Sequence, residues 1–231
     1  MKNILSIIIP VFNEKDTILE VLKRAEETNL EEKGFKKEIV IVDDGSNDGT
    51  KEILEKLNKK YKIIYHSKNQ GKGKAIKTGL NEVSGDFVII QDADLEYHPK
   101  DYERLIQPIL EKKALVVYGS RWLDPKNFHP YKFFYWGGLF LTFLTNFLYG
   151  QKLTDILTGY KLFKTEVLKR IDLENSKFEF CCEVTAKISK KGIKIFEVPI
   201  SYFPRQKKLK KIKIFDGLKM IFVLLKYKFK K

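Results

Sequence analysis

The 231-residue chain is predicted to fold as an α/β protein, a mostly parallel sheet flanked by helices. Three observations predict it. Apolar runs of strand length alternate with helix-length stretches through five cycles between residues 5 and 118. The strongest runs are apolar at every position, as strands covered on both faces are. Three strand ends carry acids: Glu14, the pair Asp43 and Asp44, and the pair Asp92 and Asp94. Open α/β sheets place their ligands at the carboxyl ends of strands, so acids gathered there mark a site.

The first run, 5–11, reads as a buried strand closed by Phe12-Asn13-Glu14. Asp16 is the expected N-cap of a helix reaching Thr28, with Ile18, Leu19 and Leu22 on its apolar face. A second strand, 38–42, ends in Asp43-Asp44-Gly45-Ser46, and Asp48-Gly49-Thr50 opens a helix to about Lys60. Residues 63–65 form a short third strand. Asn69-Gln70-Gly71-Lys72-Gly73-Lys74 then leads into a helix running through Val83. The fourth strand, 87–90, follows the turn-like Ser84-Gly85. Pro99 stands at the first turn of the next helix, where proline is tolerated. A fifth strand occupies 115–118.

The fourth strand runs from its apolar stretch straight into Gln91-Asp92-Ala93-Asp94-Leu95-Glu96. In extended chain Asp92 and Asp94 point the same way and can share one cation. Hard divalent ions such as Mg²⁺ or Mn²⁺ prefer carboxylate oxygen, and Mg²⁺ typically takes one or two carboxylates plus substrate phosphates. An isolated pair of this kind also fits a solvated acidic turn; its place after a buried strand carries the metal reading. Gly71-Lys72-Gly73 can approach phosphate closely, with helix N-terminal amides nearby. It is neither a Walker sequence nor a dinucleotide fingerprint.

The size suits one domain, and the composition is that of an ordinary globular protein. The formal charge of +14 is concentrated at the C-terminus, where 205–231 carries 11 Lys and Arg against the single acid Asp216. Such local basicity points to a membrane surface or a phosphate-bearing substrate, and away from a nucleic-acid binder. Cys181 and Cys182 are adjacent, without zinc or disulfide spacing, and are expected to be structural thiols in a reducing compartment. No signal peptide is expected, because the run 4–11 is short and lacks a small-residue cleavage site. His66, His98 and His129 have no metal-like spacing and are expected at surface or turn positions.

Residues 133–151 contain no charge, yet Gly137, Gly138, Thr142, Thr145 and Asn146 interrupt the stretch. Phe140, Phe143, Leu144, Phe147 and Leu148 share one helical face, which predicts an amphipathic helix at a membrane interface rather than a span. The alternative is burial against the sheet. The C-terminal stretch 215–227 repeats the pattern with Leu218, Ile221, Phe222 and Leu225, flanked by lysines.

Taken together, five segments resemble family 2 glycosyltransferases with the GT-A fold. They are Pro10-Val11-Phe12-Asn13-Glu14; Val42-Asp43-Asp44-Gly45-Ser46 with Asp48-Gly49-Thr50; Asn69-Gln70-Gly71-Lys72-Gly73; Gln91 to Glu96; and Gly119-Ser120-Arg121. Asp155 to Phe163 and Glu197 to Tyr202 with Arg205 extend the match over nearly the whole chain. Within the family it looks most like the dolichol-phosphate mannosyltransferase and polyprenyl-phosphate glucosyltransferase group. The resemblance implies a GT-A domain over 1–204, with 205–231 a basic membrane-proximal tail and helix of the same domain.

It further implies that Pro10, Phe12, Glu14, Val42 and Asp44 hold the nucleoside of a nucleotide-sugar. Asp92 and Asp94 would carry Mg²⁺ or Mn²⁺ on its diphosphate, with the Ala93 backbone close by. Glu96, where the mannosyltransferases usually have Gln, would be a third metal-site position. Arg121, Arg205 and Lys211 (or, one residue earlier, Lys210) would face donor or acceptor phosphates. Asp94, Arg121 and Asp155 are the expected catalytic groups, Asp155 either as a base or as the residue that orients a cation. The implied reaction is inverting transfer of a hexose from GDP-mannose or UDP-glucose to a polyprenyl or dolichyl phosphate. The enzyme would sit peripherally on the cytosolic face of an anionic membrane. Transfer to a sugar hydroxyl, and a non-catalytic membrane-binding module, are the competing readings.

Overall fold

The computed structural model describes residues 3–206, 211 and 214–230; Lys207, Lys208, Lys210, Lys213 and Lys231 of the basic tail lie outside them. Seven strands form one sheet: β1 (Asn3–Val11), β2 (Phe35–Asp43), β3 (Lys62–Tyr65), β4 (Phe87–Ile90), β5 (Val116–Ser120), β6 (Lys161–Lys164) and β7 (Phe196–Pro199). Their order across the sheet is β3-β2-β1-β4-β6-β5-β7. The strand–helix cycles supply β1 to β5. Helices α1 (Ile18–Glu27), α2 (Thr50–Glu55), α3 (Lys72–Glu82) and α4 (Tyr102–Leu110) connect them.

The pleat explains the uninterrupted apolar runs. Ile7 and Ile9 of β1, Ile41 of β2 and Ile89 of β4 join one core layer with Ile18, Val21 and Leu22 of α1 and Leu105 of α4. The alternate residues Ile8, Val40, Val88 and Ile90 join the other, against Ile76 and Leu80 of α3. Both faces are covered, so residues 7–9, 39–42 and 87–90 are apolar without a break.

One strand breaks the parallel expectation. β6 runs antiparallel to both β4 and β5, with Ile89 opposite Leu162 and Tyr118 opposite Lys161. The chain leaves β5, passes through α5 (Lys132–Tyr149), and re-enters the sheet from the end where β4 stops. An antiparallel strand begins where its parallel neighbours finish. Residues 155–160, just ahead of β6, are thereby delivered to the carboxyl end of β4. The fully buried Lys161 fastens that turn, its Nζ donating to the carbonyls of Ile156 and Thr158.

Two helix expectations shift. Thr17, not Asp16, holds the N-cap position of α1, and its hydroxyl donates to the Ala93 carbonyl at 2.6 Å. α2 stops at Glu55 and continues as turns rather than helix to Lys60.

α6 (Thr165–Lys169) and α7 (Phe180–Lys190) complete the body, and α8 (Ile214–Phe229) packs on α5 and α7. α8 buries Met220, Val223, Leu224 and Tyr227 while exposing Phe215, Leu218, Phe222, Leu225 and Phe229. α5 is amphipathic as expected, and its polar side is the inward one. Leu141, Thr142 and Thr145 are buried; Phe133, Trp136, Phe140, Phe143 and Phe147 face out, Phe147 with 76 % of its surface exposed. The inward polar groups stay satisfied locally. Thr145 donates to the Leu141 carbonyl, and Asn146 clasps both backbone groups of Leu153. Among the described residues no helix is long and apolar enough to cross a membrane.

Candidate active site

A cavity of about 800 Å³ opens at the carboxyl ends of β1, β2 and β4. Its two ends differ in chemistry. Glu14, Asp44, Asp92, Asp94 and Glu96 bring acid to one end, with Lys72, Arg205 and Lys211 among them. Side chains of α5, α8 and the loop after β5 wall the rest; they are largely aromatic and aliphatic, with Arg121, Asp216 and Lys219 among them. Pro10, Phe12 and Ala93 line it as expected, whereas Val42 is fully buried in β2 and is not part of the wall.

The loops that carry the acids are tied together. Asn13, in the left-handed region at φ 51°, receives a hydrogen bond at its side-chain oxygen from the Asn47 amide, and its own amide donates to Ser46. Asp44 is buried and its oxygens are already engaged: it accepts from the Gln70 amide at 2.9 Å, the Gly71 amide at 2.7 Å and His66 Nδ1 at 2.7 Å. It therefore locks the glycine loop beside the cavity. His66 corrects the surface assignment. Its side chain is only 7 % exposed, bridging Asp44 and the Thr78 hydroxyl. Asp43 accepts from Ser46 through Oδ1, while its buried Oδ2 has no hydrogen-bond partner among the described residues. Burial pushes the Asp43 carboxyl above the usual range.

Asp92 pairs with Lys72 Nζ at 2.5 Å. Its other oxygen lies against Gly159, where an added Cβ would come within 2.1 Å, so only glycine lets the 155–160 turn close on the acid. The Gly159 amide donates to the Tyr97 hydroxyl, and Tyr97 stacks on Tyr160. Asp94 meets Arg205 Nη2 at 3.3 Å. Burial, then the neighbouring Asp92 and Glu96 carboxylates, push its carboxyl up to about 7. Crowded acids of this kind call for a cation.

The expected three-carboxylate metal set is not assembled. Among the described residues no group of three or more acids, histidines or cysteines has metal-binding geometry. The cause is local. The chain leaves the extended conformation soon after β4 ends: Ala93 and Asp94 form a turn and Leu95 sits at φ 60°, a strained conformation for a bulky residue, so the alternation that would align Glu96 with Asp92 and Asp94 does not persist. Glu96 instead accepts from the Arg205 amide at 3.1 Å and the Tyr202 hydroxyl at 3.4 Å. Asp92 and Asp94 remain on the cavity wall. Two carboxylates plus diphosphate oxygens are a donor set that suits Mg²⁺ or Mn²⁺.

Arg121 leaves β5 directly into a buried ion pair. Its Nε and Nη2 lie 2.6 and 2.8 Å from the two oxygens of Asp155, and its amide donates to Asp155 at 3.2 Å. The guanidinium lies 5.4 Å from the rings of both Trp122 and Tyr202. Glu197 fixes the acid in turn by accepting from the Thr154 and Asp155 amides. Burial opposes ionisation of Asp155, but Arg121 outweighs it and holds the carboxyl below its usual range. With both oxygens committed, Asp155 orients Arg121; of its two expected roles the geometry favours this one over that of a free base.

Arg205 and Lys211 turn toward the acids rather than the aromatic end. Arg205 Nη1 is 3.0 Å from Glu14 Oε1, and Lys211 Nζ is 2.6 Å from the same oxygen while also donating to the Phe12 carbonyl. Lys72, Tyr97, Trp122, His129 and Tyr202 were not singled out from the sequence as site residues. Lys72 and Tyr202 stood inside recognised segments. Trp122 and His129, whose rings lie 4.1 Å apart, meet only through the fold.

Comparison with known proteins is consistent with this geometry. The family model described as "Glycosyl transferase family 2" matches residues 6–172. A UDP-N-acetylglucosamine–dolichyl-phosphate N-acetylglucosaminyltransferase of Methanococcus voltae is 31 % identical, over 96 % of this chain and 95 % of the relative. The dolichol-phosphate mannosyltransferase of Pyrococcus furiosus is 30 % identical over 96 % of this chain, which spans 64 % of that protein. Among solved structures, the glucosyl-3-phosphoglycerate synthase of Mycobacterium tuberculosis with Mn²⁺, UDP and phosphoglyceric acid superposes with a TM-score of 0.70. It shares 18 % identity, over 97 % of this chain and 77 % of that one. The mannosyl-3-phosphoglycerate synthase of Rubrobacter xylanophilus superposes with a TM-score of 0.71 at 19 % identity, over 98 % of this chain and 73 % of that one. These likenesses establish the GT-A fold, and with the family match and the relatives they show that this chain belongs to glycosyl transferase family 2.

Proposed function

We propose that the enzyme moves a hexosyl group from a nucleotide-sugar to a polyprenyl or dolichyl phosphate at a membrane surface, inverting the anomeric centre. The observation that carries this reading is the two-ended cavity. Its acidic end suits a metal-bound diphosphate, and the largely aromatic and aliphatic remainder, which also carries Asp216 and Lys219, is walled by α5 and α8, the helices whose outer faces expose aromatic residues. A lipid-linked acceptor has that same division into phosphate and hydrocarbon. The names of the Methanococcus voltae and Pyrococcus furiosus relatives, both dolichyl-phosphate sugar transferases, support the acceptor class.

In this reading Glu14 and Asp44, with Pro10 and Phe12, border the nucleoside. Asp92 and Asp94 would hold Mg²⁺ or Mn²⁺, which neutralises the departing diphosphate when bound. The acceptor phosphate has a second pKa near 6 and is largely dianionic at neutral pH. Its oxygen displaces the nucleoside diphosphate at the anomeric carbon: one C–O bond forms as the other breaks, and no proton has to be removed. Arg121, fixed by Asp155, holds the acceptor phosphate in line, and Arg205 and Lys211 offset the repulsion between the two phosphate groups. A sugar hydroxyl would need a base, and the acid expected for that role is bound to Arg121. The exposed faces of α5 and α8, with the lysines of the tail, dock the enzyme on the cytosolic face of an anionic bilayer.

A donor screen tests the proposal. GDP-mannose, UDP-glucose and UDP-N-acetylglucosamine are each supplied with polyprenyl phosphate and Mg²⁺ or Mn²⁺, and lipid-linked sugar is measured. Transfer from one hexose donor is the expected result. Transfer to a free sugar hydroxyl, with none to lipid phosphate under any donor, refutes it.

A further inference from the structure

Gly138 lies in the middle of α5, buried, on the wall of the cavity. Glycine is the least favourable residue in a helix interior after proline. Nothing in the packing asks for it here. Its backbone is not in the left-handed region, and a Cβ would rest 3.8 Å from Trp122 Cζ2 and 3.9 Å from Leu157 Cδ1, ordinary contact distances. What the missing side chain leaves is cavity. The neighbouring Gly137 shows the contrast, because it is exposed and a Cβ there would meet nothing within 4 Å.

The side chains beside Gly138, Trp122 and Leu157, are apolar, and Phe134 of α5 and Met220 of α8 line the same cavity, together with Asp216 and Lys219 of α8. Trp122 follows Arg121 in the chain, so this arm of the cavity begins at the cation assigned to the acceptor phosphate. α5 and α8 both line this cavity, and their outer faces carry Phe140, Phe143 and Phe222 into solvent. A phosphate at Arg121 with a hydrocarbon tail toward the two helices satisfies both the charge and the lining.

We propose that Gly138 is a specificity-determining residue, setting the bore of this arm so that it admits the first, methyl-branched isoprene unit of the acceptor. The inference rests on the lipid-phosphate reading above and deepens it. A branched unit needs width near the phosphate that an unbranched or absent tail does not. A side chain at 138 takes that width away without touching the acidic end.

Calorimetric titration tests it without turnover. The wild type, G138A and G138L are each titrated with geranyl phosphate, with methyl phosphate and with the nucleoside diphosphate of the preferred donor. The wild type should bind geranyl phosphate about ten-fold or more tightly than methyl phosphate, the scale of burying two or three methylene groups. G138L should lose most of that preference and G138A part of it, with nucleotide affinity unchanged in both. G138A, in which alanine replaces glycine in a helix, should melt at or above the wild-type temperature, so it carries the test if G138L folds poorly. Full retention of the geranyl preference in both variants overturns the assignment of Gly138. A wild type that does not distinguish the two phosphates overturns the arm itself. Transfer to full-length polyprenyl phosphate then decides separately whether the lipid-phosphate reading stands, with the chain held elsewhere.

Discussion

Replacing Asp155 by Asn removes the charge of a buried pair while keeping its shape, and the structure sets the size of the effect. Arg121 has only 15 % of its side chain exposed, and Asp155 only 2 %. Losing one partner of such a pair leaves the other charge buried and costs about 3–5 kcal/mol. Asparagine keeps one acceptor for Arg121, which places D155N near the lower end, about 3 kcal/mol. For a chain of this size each kcal/mol shifts the melting temperature by about 2–4 °C, so D155N should melt roughly 6–12 °C lower. The double variant R121Q/D155N removes both charges and should recover most of that stability while transferring no sugar. The acid dependence has a definite sign. Burial works against the charged carboxylate, Arg121 more than compensates, and the folded pKa lies below the unfolded one. The stabilisation is therefore complete above the ordinary carboxylate range and lost as pH falls below it, and the gap between wild type and D155N should close in acid. Calorimetric melting from neutral pH downward gives the stabilities; transfer to a water-soluble prenyl phosphate gives kcat and KM. As an orienting residue Asp155 has no titration limb of its own near neutrality. D155N should lower the rate evenly across that range and raise the KM for the acceptor. A melting temperature within about 1 °C of wild type refutes the buried-pair argument. Loss of the acid-side limb of the pH–rate profile, with acceptor KM unchanged, makes Asp155 a base instead.

Two further outcomes follow from the cavity and the outer faces. D92N and D94N should each abolish transfer, since each removes a charged oxygen from the proposed metal set; D94N should leave the melting temperature unchanged, whereas D92N also unpairs the largely buried Lys72 and should lower it. Titration of Mn²⁺ should show weakened binding in both, and full activity in EDTA would remove the metal from the scheme. On anionic vesicles, changing the exposed Phe140, Phe143 and Phe222 to Ser, or neutralising Lys226, Lys228 and Lys230, should release the protein, the lysine set more readily as salt rises. Co-sedimentation measures this. Unchanged binding in both sets would leave the outer faces of α5 and α8 without a membrane role.

The parts of this fold that the sequence discloses are those governed by local pattern. The buried positions of β1, β2 and β4 are apolar apart from Ser6 and the terminal Asp43 because helices cover both faces, and the strands run into acids because the sheet edge is where the site opens. β6 has no such signature. It spans four residues, begins at the charged Lys161, and owes its antiparallel direction to the route the chain takes home from α5. The site divides in the same way. Its acids are local features of strand ends, but what each acid does depends on a partner brought from elsewhere: Lys72 to Asp92, His66 to Asp44, Arg121 to Asp155. Glu96 is the instructive failure. Extended alternation places it with Asp92 and Asp94, but the chain turns at Ala93–Asp94 and takes a left-handed step at Leu95, and the Glu96 carboxylate meets Arg205 and Tyr202. Spacing along a chain fixes side-chain direction only while the backbone stays regular, and at strand ends, where sites form, it seldom does. Asp155 supplies the converse. No local pattern distinguishes a base from an orienting acid, yet two hydrogen bonds to one guanidinium favour the second role, because Arg121 holds the carboxyl below its usual range and so makes it a poorer proton acceptor.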